Sequence, residues 1–127
     1  APDAGAYKKA VKMADYLGIN EVIVANKIRG EGGKIVAHTL TGDVNGKRVA
    51  VFDDICDGGA TFVSLASLLD ENHAKSKDLY VTHGIFTKGL IAVEIHYDKV
   101  ITTNSYHPSI IGNKVTKIIK LDWESLL

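Results

Sequence analysis

The sequence offers one cysteine, Cys56, among 127 residues. A single thiol excludes an internal disulfide and fits a reducing compartment. Net charge is also missing, because fifteen Lys plus Arg balance fifteen Asp plus Glu. A general nucleic-acid coat or a binder of anionic membranes is ordinarily basic, so neither nucleic acid nor membrane is expected as a partner. No apolar run approaches a bilayer's thickness, and the N-terminus carries no signal-peptide pattern. The expectation is a cytoplasmic protein. Internal repeats, linkers and low-complexity tracts are absent too, so residues 1–127 read as one domain. A chain this long hides roughly two-thirds of its unfolded surface, enough for a core.

What is present alternates. Residues 4–17 place Ala4, Tyr7, Val11, Ala14 and Leu17 near helical spacing, with Asp3 as a candidate N-cap and Gly18 as a C-terminal stop. "EVIVAN" (21–26) predicts a short buried strand, "KIRGEGGK" (27–34) a mobile basic loop, and "KIVAHTL" (34–40) a returning strand. After a turn at Asn45-Gly46, "RVAVFDD" (48–54) is a further buried strand. A helix follows from Thr61 to about Glu71. Strands are predicted at 78–84, 99–104 and 114–122, with a short helix through 89–95 and a final helical turn from Trp123. Alternating strands and helices argue an α/β fold with a mainly parallel sheet flanked by helices. The opening "APDAGAYKKA" starts a helix pattern at once, as if a preceding strand or domain were cut away. A fragment is expected.

The stretch "VFDDICDGGAT" (51–61) carries the chemistry. It reads as a strand end, a turn and a helix start, and ligands of open α/β sheets bind at the carboxyl ends of strands. The amides of Gly58, Gly59, Ala60 and Thr61 can converge where the helix N-terminus is partly positive and side chains are missing. A phosphate suits that place. Asp53 and Asp54 can accept hydrogen bonds from vicinal sugar hydroxyls or hold water around Mg²⁺. The same composition also serves local ends, with Thr61 as a cap and Asp54 bracing the turn. Spacing alone leaves both readings open. Lys27 and Arg29 taken alone read as solvated charges, the other histidines (His38, His73, His96, His107) lack metal-ligand spacing, and His83 reads as a structural, hydrogen-bonded residue.

The stretch resembles the ribose-phosphate-binding signature of type I phosphoribosyltransferase-like folds. Its neighbours narrow the likeness. "PDAG" (2–5), "NKIR" (26–29), "GDVNGK" (42–47), "VTHGIF" (81–86) and "VITTN" (100–104) follow the order of the C-terminal half of the ribose-phosphate pyrophosphokinase family, across essentially the whole chain. The resemblance implies transfer of the diphosphoryl group of ATP to the C1 hydroxyl of ribose 5-phosphate, giving phosphoribosyl pyrophosphate and AMP. It implies that Asp57, Gly58, Gly59, Ala60 and Thr61 cradle the 5-phosphate, and that Asp53 and Asp54 bind the ribose hydroxyls. It implies catalytic roles for Lys27 and Arg29 over the ATP phosphates, and Asp3 as an acid associated with Mg²⁺. Homo-oligomers and a missing N-terminal domain of similar fold are implied as well, so the chain alone is expected to bind sugar phosphate and to turn over poorly.

The chain also departs from that family. Lys27-Ile28-Arg29-Gly30 stands where Lys-Arg-Arg-Pro is common, Ala60 replaces a glycine, and "FTKG" (86–89) replaces Phe-Ser-Gly-Pro, a region tied to phosphate and ADP regulation. Cys56 falls where the family takes apolar residues and is expected to pack. Two other readings compete: a nucleobase phosphoribosyltransferase, for which no base-recognising hood is found, and a non-catalytic synthetase-associated regulator.

Overall fold

The computed structural model describes residues 1–107 and 109–122, apart from the side chains of residues 35 and 36. Helix α1 covers Tyr7–Leu17 and ends where Gly18 adopts φ +70°, its N–H and that of Ile19 closing onto Asp15 O and Ala14 O. The predicted stop is therefore in place. The cap is not. Asp3 Oδ1 accepts the Ala6 N–H at 3.0 Å, bracing the turn before the helix, and no side chain caps α1 itself. The buried side of α1 also differs from the expectation. Ala6, Ala10 and Ala14 are buried, whereas Tyr7, Val11 and Leu17 are exposed. Small side chains four apart let the helix lie close against its neighbour, so size rather than hydrophobicity selected the inner stripe.

Strands β1 (Ala25–Arg29) and β2 (Ile35–Leu40) form a two-stranded antiparallel ribbon, turned by a 3-10 segment over Glu31–Gly33. Two expectations change here. The strand predicted over 21–26 begins only at Ala25, because that is where pairing with Leu40 begins. The loop predicted over 27–34 is largely ribbon, with Lys27, Ile28 and Arg29 inside a strand. Ladder pairing overrode the polar composition.

The main sheet is parallel, in the order β3 (Arg48–Cys56), β4 (Ser76–Gly84), β5 (Lys99–Thr103), β6 (Thr116–Ile119). Its register aligns Val51, Leu79, Val100 and Thr116 in one row across all four strands, and every member is buried. Helix α2 (Ala60–Glu71) brings Phe62, Leu65, Ala66, Leu68 and Leu69 into the same core, joined by Val93 of the short α3 (Ile91–Glu94) and by Tyr97. Each buried leucine contributes roughly 1.5–3 kcal/mol. The opposite face carries Phe52, Tyr80 and Ile101, with Phe52 and Tyr80 stacked at 4.6 Å between ring centroids. Between β3 and residues 19–25 lies an apolar cavity of about 200 Å³, lined in part by Ala10, Ala14, Ile23, Val49 and Leu65. Among the described residues no helix is long and apolar enough to cross a membrane. The final helical turn predicted from Trp123 lies outside the described residues.

Candidate functional site

The site forms at the carboxyl end of β3, where the strand gives way to α2 within three residues. Gly59 makes that possible. It adopts φ +83°, and a Cβ there would stand 2.4 Å from Val93 Cγ2. Neither the backbone conformation nor the space admits a side chain. No side chain caps α2, so Thr61 is not a capping residue. The N–H groups of Gly58, Gly59, Ala60, Thr61 and Phe62 meet no acceptor among the described residues, and the first turn closes only with Val63 N–H to Gly59 O at 2.9 Å. A run of free amides at a helix N-terminus is a ready anion site.

Lys27 reaches this turn from the ribbon, its Nζ donating to Thr61 Oγ1 at 3.4 Å. Directly opposite Lys27 in the ribbon stands His38, whose Nδ1 shares a hydrogen bond with Ser64 Oγ at 3.0 Å, one turn further along α2. Two side-chain contacts thus fasten the ribbon to the helix. Arg29 is not brought to the turn. Its Nη1 donates to Gly33 O at 2.9 Å, within the ribbon tip.

Asp53 and Asp54 lie just upstream on β3, and Lys9 of α1 stands against both. Its Nζ is 2.5 Å from Asp54 Oδ2 and 3.8 Å from Asp53 Oδ1. The hydrogen bond from Lys9 holds the Asp54 carboxyl down at about 2, with Asp53 acting in the same direction. Burial pushes the Asp53 carboxyl above its ordinary value; the Asp54 N–H, donating to Asp53 Oδ1 at 2.8 Å, pulls against that, while the Asp54 carboxylate adds to it. The Lys9 pKa rises, first through its bond to Asp54 and then through the charges of Asp54, Asp53 and Asp3. Lys9 is a site residue that the sequence did not single out, since a lysine on a helix reads as a solvated charge.

Cys56 is fully buried directly before the turn, and burial pushes its thiol up to about 12. It packs and has no nucleophilic character at neutral pH. Tyr97 Oη donates to Phe62 O at 2.7 Å, pinning the first turn of α2 from below, and burial raises its pKa well above the usual phenol value. His83 hydrogen-bonds Ser105 Oγ at 2.7 Å, and His107 Nε2 donates to Ile85 O at 2.7 Å. Both act as structural partners of the loops around the site.

Mg²⁺ fits this donor set in one manner only. Among the described residues no three His, Cys, Asp or Glu side chains could hold a metal ion together. Asp3 keeps one carboxylate oxygen beyond its bond to Ala6, and it acts on the same lysine as Asp53 and Asp54. One or two carboxylates completed by water and substrate phosphates is the usual manner of holding Mg²⁺.

A family model described as phosphoribosyl synthetase-associated domain matches residues 36–127. The chain is 32% identical to the ribose-phosphate pyrophosphokinase of Hyphomonas neptunium, over 86% of this chain and 36% of that protein. It is 33% identical to ribose-phosphate pyrophosphokinase 3 of Saccharomyces cerevisiae, over 100% of this chain and 40% of that protein. The Pyrococcus abyssi ribose-phosphate pyrophosphokinase is 34% identical over 97% of this chain and 41% of its own length. The chain thus spans about two fifths of the curated relatives it matches. Among solved structures, phosphoribosylpyrophosphate synthetase from Mycobacterium smegmatis superposes with a TM-score of 0.77 at 28% identity, covering 94% of this chain and 39% of that one. The α/β fold with its flanked parallel sheet, as expected from the sequence, is shared with that structure.

Proposed function

The chain belongs to the phosphoribosyl synthetase-associated domain family, and from that footing we propose that it is the ribose 5-phosphate-binding part of a ribose-phosphate pyrophosphokinase. One observation carries the reading: the amides of residues 58–62 are free beside a lysine delivered from the ribbon. The 5-phosphate would rest on Asp57, Gly58, Gly59, Ala60 and Thr61, while Asp53 and Asp54 accept hydrogen bonds from the ring hydroxyls. Lys9, 2.5 Å from Asp54 Oδ2 and 3.8 Å from Asp53 Oδ1, offsets the repulsion between the two carboxylates.

In the reaction the C1 hydroxyl oxygen attacks the β-phosphorus of ATP, the bond from that phosphorus to the α,β-bridging oxygen breaks, and AMP leaves as the hydroxyl proton is lost. Such transfer is governed by positioning and by neutralising charge on phosphoryl oxygens. Lys27 supplies a compact charge at the turn, and Arg29 a planar fork once its bond to Gly33 O is given up. Mg²⁺, bound through Asp3 and the substrate phosphates, would neutralise further phosphoryl charge. The remaining ATP contacts would come from outside these 127 residues and from a neighbouring subunit of a homo-oligomer, so this chain alone would bind ribose 5-phosphate and make product poorly.

The test follows AMP release from ATP, Mg²⁺ and ribose 5-phosphate by the full-length parent. Lys27→Ala should lower turnover by orders of magnitude, in the range of removed transition-state contacts of about 10²–10³ or more, and should spare ribose 5-phosphate binding. Unchanged turnover in that variant refutes the role of Lys27. Binding of ribose 5-phosphate with no AMP release by the parent would favour the non-catalytic, regulatory reading.

A further inference from the structure

The loop that follows β4 is fastened across the phosphate turn by backbone hydrogen bonds. The N–H groups of Ile85 and Phe86 both donate to Cys56 O, at 2.9 and 3.2 Å, and Thr87 N–H donates to Asp57 O at 3.1 Å. Gly84 makes room for this arrangement, because a Cβ there would stand 2.2 Å from the Phe86 ring. Phe86 itself adopts φ +50°, a conformation bulky residues avoid, and its ring is buried. The position of the loop over the turn is therefore set by several independent constraints.

Lys88 comes next, and its side chain runs along Gly58. Its Cε and Cδ stand 3.8 and 3.9 Å from the place a Cβ on Gly58 would take, with Thr87 Oγ1 also at 3.8 Å. Lysine stems lie along protein surface and leave the ammonium to find a partner. This ammonium has none among the described residues. Lys27 touches Thr61 at the other end of the same turn. The two lysines bracket the five free amides.

We propose that Lys88 is the phosphate-binding cation of this site, holding the terminal phosphoryl group of a pentose phosphate against the free amides, while Lys27 is left to the phosphoryl groups in transfer. The proposal rests on the pentose-phosphate reading given above. A phosphate monoester carries nearly two negative charges at neutral pH, and the Lys88 ammonium meets part of that charge while the amides supply direction. Lysine presents three rotatable donors on a flexible stem, which suits a tetrahedral anion approached from the side. The two lysines also differ in attachment. Lys27 rides on the ribbon, whereas Lys88 is tied to the body of the sheet, so Lys88 serves substrate binding and Lys27 serves turnover.

Isothermal titration of ribose 5-phosphate into the wild-type protein and the Lys88→Ala and Lys88→Arg variants tests this, with unphosphorylated ribose as the control ligand. Lys88→Ala should weaken ribose 5-phosphate binding about tenfold, a size fitting one charge-assisted contact at an accessible site. Lys88→Arg should restore most of the loss, and the response to ribose should be the same in all three. Equal affinity of wild type and Lys88→Ala overturns the role of Lys88 and leaves the pentose-phosphate reading standing. A Lys88→Arg variant as weak as Lys88→Ala overturns the charge argument. Absence of ribose 5-phosphate binding in the wild type overturns both readings together.

Discussion

Asp53 and Asp54 are neighbours on one strand, yet their carboxyls shift in opposite directions, Asp53 upward by burial and Asp54 downward by its bond to Lys9. The Asp54 carboxyl is held at about 2 against an ordinary 3.8, so its contribution to stability is complete above pH 3.8 and is lost as pH falls toward 2. Asp53 is raised by burial, so its ionisation weakens the fold above its raised value, and that cost disappears at lower pH. The two tendencies oppose each other through the acid range, and the one at Asp54 depends on Lys9. In Lys9→Met the Asp54 titration, followed by carboxyl NMR, should move from about 2 up toward the ordinary carboxylate range near 3.9. The stability profile below pH 4 should flatten at the same time. A resonance still titrating near 2 would show that Lys9 is not the cause. Neither Lys9 nor Lys88 was legible as a site residue, because each is brought to the turn by another element and sequence patterns report only neighbours along the chain. The acids and glycines of residues 53–61 were legible, since their chemistry and spacing sit in one stretch.

The strand–turn–helix unit of β3 and α2 depends on one residue without a side chain. Gly59→Ala would meet both a positive φ and the Val93 methyl at 2.4 Å, and strain plus overpacking amount to about 2–4 kcal/mol. Urea unfolding should show that loss, and Val93→Ala in the same chain should recover the packing part while leaving the backbone part. A Gly59→Ala protein as stable as wild type contradicts the geometry of the turn. The sequence showed this unit well: β3, α2, β4 and β5 all fall within a few residues of their expected bounds, since apolar runs and glycine stops coincide there. Residues 21–34 were read less well. "EVIVAN" has strand composition, but pairing begins only at Ala25, and "KIRGEGGK" has loop composition, but the ladder runs through Arg29. Pairing partners come from distant parts of the chain, and local composition carries no record of them.

At the scale of the whole molecule, the ribbon and the parallel sheet are separate sheets, linked through side chains on α2. The base of the ribbon is packed in the core through Ala25 and Leu40, and the bond between His38 and Ser64 and the looser contact of Lys27 with Thr61 hold its middle to α2. His38→Ala should raise the population of undocked ribbon. One hydrogen bond is worth about 0.5–1.5 kcal/mol, so amide exchange over residues 25–40 should quicken roughly 2–10-fold, with the interior of α2 unaffected. Ser64→Ala should reproduce the effect, and unchanged exchange in both variants would mean that the ribbon is held by something else.

Lys27 sits on a sheet of its own, apart from the one that carries the free amides. On the proposed reading, a sugar phosphate would be held by the parallel sheet and its turn, whereas the charge for transfer would be delivered by the hairpin. Altering the hairpin's length would then change the speed of the chemistry and leave what is held untouched.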